Sequence, residues 1–182
     1  SFLSVVASSF SALALAAKYL KDVIKIDETA PIIEVHSDHY IGNRPAYAKI
    51  AKNALSKIGD NIGTIGIVPT KPDTSFGYIK KGENLGDYYK VETFKEKPDK
   101  KTAEEFFASG EYLWNAGMYL FNIKTLADEM KNHAPEFYSL FEKDYDTFLK
   151  DFQNLPAIAI DYAIAEKSNK LITFEGDFDW SD

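Results

Sequence analysis

The chain alternates between stretches whose apolar residues recur every three or four positions and shorter runs of continuous or alternating apolar residues, a pattern that predicts an α/β layered fold. Residues 12–24 have helical spacing, with Lys18, Lys21 and Asp22 falling between apolar positions. The uncharged stretch 2–17 leads into it without a break. Four serines dilute that stretch and no basic residue precedes it, so it is predicted as a buried helix rather than a signal-peptide core. Residues 31–36 predict a strand and Gly42-Asn43 a turn. Residues 45–58 predict an amphipathic helix, with Tyr47, Ile50, Ala51, Ala54, Leu55 and Ile58 on one face and Gly59 at its end. A strand at 62–68 precedes a loop rich in turn residues at 69–75. Beyond it the pattern predicts strands near 77–80 and 88–94, a helix at 102–109 and a strand at 117–121. Two helices across 123–151, a helix at 160–167 and a last strand at 170–174 complete the series.

Composition narrows this picture only a little. The 182 residues are 45% hydrophobic and 27% charged, enough for one sizeable core in a single domain. A net charge of −7 argues against broad nucleic-acid binding, although one basic pocket and a metal ion suffice to hold a nucleotide. Disulfides and thiolate metal sites are excluded because no cysteine is present, which makes the cytoplasm the simple expectation. No membrane span is expected, and oligomeric state stays open, a homo-oligomer included. The chain opens on Ser1, as a processed chain or a piece of a longer one would.

Candidate chemistry gathers behind the predicted strands, where open α/β sheets bind their ligands. Asp38 follows the strand at 31–36, in a position to hold Mg²⁺ through a hard oxygen or simply to shape a turn. His36 and His39 have a spacing compatible with zinc, but the sequence offers them no third ligand. Asp182 also follows a strand, a glycine-containing bend and a tryptophan. It is either a second carboxylate for the same metal or part of a solvated acidic tail with Asp177 and Asp179. Phe94-Lys95-Glu96-Lys97-Pro98 and Trp114-Asn115-Ala116-Gly117 suit a sugar phosphate, since carboxylate and amide groups bond hydroxyls and lysine is a compact cation for phosphate. Pro98 restricts Lys97 to extended backbone, which directs its side chain. Lys100 and Lys101 are read as a solvated face. Trp114, Phe106, Phe107, Tyr112, Tyr119 and Phe121 are read as core, and His133 as a surface residue.

Five blocks occur together in a specific order: Gly66-Ile67-Val68-Pro69-Thr70-Lys71-Pro72-Asp73-Thr74-Ser75-Phe76-Gly77-Tyr78-Ile79, Glu96-Lys97-Pro98, Trp114-Asn115-Ala116-Gly117-Met118-Tyr119-Leu120-Phe121, Ile160-Asp161-Tyr162-Ala163 and Trp180-Ser181-Asp182. With that order and spacing the chain, from about Ala12 to Asp182, resembles the mannose-1-phosphate guanylyltransferases. The resemblance implies a three-layer, Rossmann-like mixed sheet of the nucleotidyltransferase type, with GTP and mannose 1-phosphate as substrates and Mg²⁺ as cofactor. It implies that Asp38 and Asp182 bind the metal and that Lys97 meets the sugar phosphate. Glu96 and Asn115 would grip the hexose hydroxyls, Gly77 and Tyr78 would form part of the pocket wall, and Asp161 would belong to the substrate site.

The family's opening glycine-rich, nucleotide-wrapping loop has no counterpart here, and Ser8-Ser9-Phe10-Ser11 stands where the family carries an acidic stretch. The expectation is therefore an N-terminally incomplete nucleotidyltransferase domain over residues 1–182, weak or inactive alone. Two other readings stay open: a relative using glucose 1-phosphate with a uridine or thymidine nucleotide, and a non-catalytic nucleotide-sugar-sensing subunit. The missing loop favours the sensor. The retained Asp38, Lys97 and Asp182 favour catalysis, because a sensor needs no metal pair.

Overall fold

The structure, a computed structural model, describes residues 9–182. In chain order its elements are α1 (Ser9–Tyr19, continued by a π-helical turn Leu20–Ile24), β1 (Ile32–Glu34), β2 (Tyr40–Ile41), α2 (Arg44–Lys57), β3 (Ile62–Ile67), β4 (Tyr78–Asn84) and β5 (Tyr89–Lys95). They continue with α3 (Lys100–Ser109), β6 (Tyr112–Phe121), α4 (Ile123–His133), α5 (Pro135–Phe141), α6 (Tyr145–Asp151), a π-helical turn Asp161–Ala165, β7 (Leu171–Gly176) and β8 (Trp180–Ser181). The predicted helices and strands occur in the predicted order, two short strands that were not predicted, β2 and β8, are added, and the fold is mixed α/β. Where two helices were expected across 123–151 there are three, because Pro135 opens a new helix at its first position and Asp144 caps another. The predicted buried helix at 2–17 is confirmed from Ser9 onward, with Phe10, Leu13, Ala14 and Ala17 buried at helical spacing; its residues 2–8 lie outside the described residues.

The chain divides into two compact units. One runs to Ala30 and resumes at Asn122–Ser168, and it is helical. Phe10 meets Phe137 with ring centroids 4.5 Å apart, and full burial of each such side chain contributes about 1.5–3 kcal/mol. Lys18 is a buried cation in this unit, held by the Phe141 carbonyl at 2.6 Å and the Asp22 carboxylate at 2.9 Å, so its charge is not left uncompensated. His133, expected at the surface, is half-buried 3.4 Å from Glu129, one helical turn back.

The other unit, Pro31–Phe121 and Asn169–Asp182, contains the sheet. Six strands lie in the order β1-β6-β3-β7-β5-β4, and β6 also pairs with β4. β3 and β7 run parallel, while the remaining pairs are antiparallel. Ala54 and Ile58 at the end of α2 pack on Ile65, Met118, Leu120, Ile172 and Phe174 to form the main core of this unit. Ala103 of α3 packs with Tyr78 and Trp114 in a smaller cluster that Phe106 and Tyr112 join. Phe107, expected in the core, is 38% exposed, because a position one residue beyond Phe106 turns about 100° away from the face that Ala103 and Phe106 share.

Two features of this unit position the site. β6 was expected to begin at residue 117 but begins at Tyr112, pairing first with β4 and then with β1. Its register against β3 shifts between Thr64 and Gly66, opposite Asn115 to Tyr119, and Gly117 there has φ +68°. This is a bulge at a glycine, the residue that adopts such backbone without a Cβ penalty. β2 pairs with β8, Tyr40 against Ser181 and Ile41 against Trp180. The Gly42 and Asn43 amides also donate to the Asp179 and Phe178 carbonyls at 2.9 and 3.0 Å. This small sheet ties the last residues of the chain to the loop after β1.

Candidate functional site

Asp38 lies in the turn between β1 and β2, exposed, and Asp182 directly follows β8. Asp38 adjoins His39 in sequence, and the β2–β8 pairing brings Asp182 to the same histidine. The His39 Nε2 is 3.7 Å from the Asp182 Oδ1, and one ligand atom from each of His36, Asp38 and His39 lies within 4.8 Å of the others. The two acids that the sequence could only nominate separately therefore share a neighbour. His36 stacks on His39 at 4.9 Å between ring centroids, and Trp180 meets His39 edge-on at 5.5 Å. Burial of the His39 imidazole, reinforced by His36, holds its pKa below the usual histidine range against the opposing pull of Asp182 and Asp38.

Glu96 and Lys97 sit in the bend after β5. The Glu96 side chain is 11% exposed and that of Lys97 61%, with the Lys97 Nζ 3.8 Å from the Glu96 Oε1. Lys97 is not extended as Pro98 led us to expect; its φ is +42°. The chain must turn between the end of β5 and the Asp99 cap of α3 while burying Pro98, and this tertiary demand overrides the local preference. Gly77 faces Glu96 so closely that a Cβ there would lie 2.4 Å from the Glu96 Oε2 and 3.4 Å from the Asn115 Cβ. The Asn115 amide N–H donates to the Gly77 carbonyl at 2.8 Å. Gly77, Glu96 and Asn115 are thus brought together.

The side-chain amide of Asn115 is buried and oriented by the bulge. Its Oδ1 accepts from the Thr64 hydroxyl at 2.7 Å and from the Gly117 N–H at 3.2 Å, while its Nδ2 donates to the Tyr119 hydroxyl at 3.2 Å. Tyr78, implied as pocket wall, sends its side chain instead into the core, where it is fully buried and its hydroxyl accepts from the Asp73 N–H at 2.9 Å. The ring belongs to the cluster with Trp114 and Phe106, so it anchors the 69–76 loop. Asp161 opens the π-helical turn of the other, helical unit.

Thr64 is a site residue that the sequence did not single out, and His36 and His39 were visible there only as a weak zinc pair, not as neighbours of both acids. A lone threonine inside the apolar strand 62–67 was the available sign for Thr64. For the histidines the sign was the spacing around Asp38. A ring of aromatic contacts joins the parts: Phe76 lies 5.0 Å from Trp114 and 5.4 Å from Trp180. The donors fit a divalent cation, since the Asp38 carboxylate lies among two imidazoles and the buried His39 Nδ1 has no hydrogen-bond partner.

Residues 6–182 match the nucleotidyl transferase family. A mannose-1-phosphate guanylyltransferase of Sinorhizobium fredii is 33% identical over 184 residues, covering 94% of this chain and 36% of that protein. Among solved structures, a protein described as a mannose-1-phosphate geranyltransferase from Thermus thermophilus superposes with a TM-score of 0.85 at 27% identity, over 96% of this chain and 51% of that one. One described as a mannose-6-phosphate isomerase from Helicobacter pylori gives 0.83 at 29% identity, over 98% and 72%. The chain spans less than half the length of the curated relatives it matches.

Proposed function

Because the chain belongs to the nucleotidyl transferase family, we propose that it transfers a guanylyl group from GTP to mannose 1-phosphate, forming GDP-mannose and pyrophosphate. The choice of sugar and base is supported by relatives described as mannose-1-phosphate guanylyltransferases. The catalytic reading is carried by one observation, the gathering of Asp38 and Asp182 around His39. In this reading an oxygen of mannose 1-phosphate attacks the α-phosphorus of GTP in line, the bond to the bridging oxygen breaks, and pyrophosphate leaves. Asp38 and Asp182 would hold Mg²⁺, which supplies Lewis-acid polarisation and charge neutralisation at the phosphates when bound.

The chain's own groups divide the remaining work. Lys97, exposed beside Glu96, offers a mobile cation for the sugar phosphate. Glu96 accepts from hexose hydroxyls, and its position depends on the open space over Gly77. Asn115 adds an amide whose orientation Thr64 and Tyr119 fix before any ligand arrives, so little ordering is needed on binding. No helix among the described residues is long and apolar enough to cross a membrane.

Pyrophosphate release by the full protein, measured for GTP, UTP and dTTP against mannose and glucose 1-phosphates, should favour GTP with mannose 1-phosphate by about tenfold or more. Preference for another pair removes the assignment of sugar and base, and no release with any pair removes the transferase. Asp38→Asn should lower kcat by at least about 100-fold with an unchanged far-UV CD spectrum. Full turnover in that variant would take Asp38 out of the mechanism.

A further inference from the structure

We propose that His36, Asp38 and His39 form a site selective for a divalent transition metal of the Co²⁺ and Zn²⁺ class over Mg²⁺. The claim rests on the transferase reading's metal position at Asp38 and changes the cation assigned to it. Three side chains bring ligand atoms within 4.8 Å of one another, and two of the three are imidazoles. Metal–ligand bonds of about 2.0–2.1 Å place tetrahedral ligands roughly 3.4 Å apart, so closure requires a contraction of up to about 1.4 Å. His36 and Asp38 are exposed residues on the connection between β1 and β2, where such an adjustment meets little resistance.

His39 is the fixed member. Its side chain is 6% exposed, stacked with the His36 ring and at a right angle to the Trp180 ring. Its Nδ1 is buried without a hydrogen-bond partner, a costly state for an imidazole nitrogen unless something else takes the lone pair. Its Nε2 faces the Asp182 Oδ1 at 3.7 Å. Asp182 is near that nitrogen but beyond hydrogen-bond distance, and the open lone pair of Nδ1 is the one left for a metal.

The strand beneath leaves room for this. A Cβ on Gly117 would lie 3.5 Å from His36 and 3.7 Å from His39, so the bulge presents bare backbone to both rings. Imidazole is a poor ligand for Mg²⁺, which favours oxygen and retains its waters, and a good one for Co²⁺ and Zn²⁺. With two imidazoles and one carboxylate, selectivity follows from the donor set.

The test is calorimetric titration of the chelator-stripped full protein with Co²⁺, Zn²⁺ and Mg²⁺, with Co²⁺ also followed by visible absorption and by paramagnetic shifts of histidine ring signals. Co²⁺ and Zn²⁺ should bind at least about 100-fold more tightly than Mg²⁺, and Co²⁺ should shift the His36 and His39 signals. His36→Ala, at an exposed position that should not disturb folding, should weaken Co²⁺ and Zn²⁺ by about tenfold or more and leave Mg²⁺ within about twofold. Equal affinities for Zn²⁺ and Mg²⁺, unshifted His36 and His39 signals, or a His36→Ala variant that binds Co²⁺ like the parent would each overturn the proposal. Tight Co²⁺ binding at these histidines without nucleotidyl transfer to any sugar phosphate sinks the transferase reading alone. Mg²⁺-dependent transfer without imidazole ligation sinks only this one.

Discussion

Lys97 shows most directly how a single residue departs from its local sequence. Pro98 disfavours the right-handed helical region for its predecessor and so suggested extended backbone, yet Lys97 takes a left-handed φ of +42°. For a residue with a Cβ that conformation costs roughly 1–2 kcal/mol. Lys97→Gly should therefore be more stable than Lys97→Ala by about 1 kcal/mol in urea denaturation, while both variants, lacking the cation, raise the KM for mannose 1-phosphate. Equal stabilities would mean that the backbone there is not strained. Asp38, Asp182, Glu96 and Lys97 were legible as candidates because each follows an apolar run in a motif of distinctive chemistry. The buried role of His39 was not, since the carboxylate on its Nε2 comes from the other end of the chain.

At the scale of elements, helix starts were written locally and were nearly readable. α3 begins at Lys100, two residues before its expected start, because the Asp99 side chain accepts from the Thr102 N–H; Asp144 does the same for Thr147 at the head of α6. Those backbone hydrogen bonds hold both aspartates below their ordinary value of 3.8. With the folded pKa depressed, the capping contribution is fully present above the unfolded value and fades as pH falls through the folded one. Asp99→Ala and Asp144→Ala should accordingly lower the thermal midpoint at pH 7, by an amount that shrinks in scans taken progressively below pH 3.8. A difference that persists undiminished in acid would show that the ionised carboxylates are not what stabilises these helix starts. The sequence pattern foreshortens β6 because Gly117 looks like a strand boundary, whereas in the sheet it is a bulge inside one strand that changes partner from β4 to β1.

Across the whole molecule, an acidic chain of net charge −7 is proposed to act on two anionic substrates, so local cations must offset a repulsive surface. The core that holds the sheet, from Ile65 and Met118 to Phe174, is apolar and contains none of the proposed metal ligands. Chelation should therefore abolish transfer while leaving the far-UV CD spectrum at room temperature unchanged; loss of secondary structure would make the cation part of the fold. The order of the predicted helices and strands, the apolar face of α2 and its end at Gly59 followed from the sequence alone, because they depend on neighbours within a turn or on side-chain periodicity. Which polar groups meet was decided only by the tertiary structure. The contacts of Asp182 with His39, Thr64 with Asn115 and Glu96 with Gly77 act over a few ångströms, and they depend on strand register, on the bulge at Gly117 and on the pairing of β2 with β8. No local pattern encodes these three arrangements.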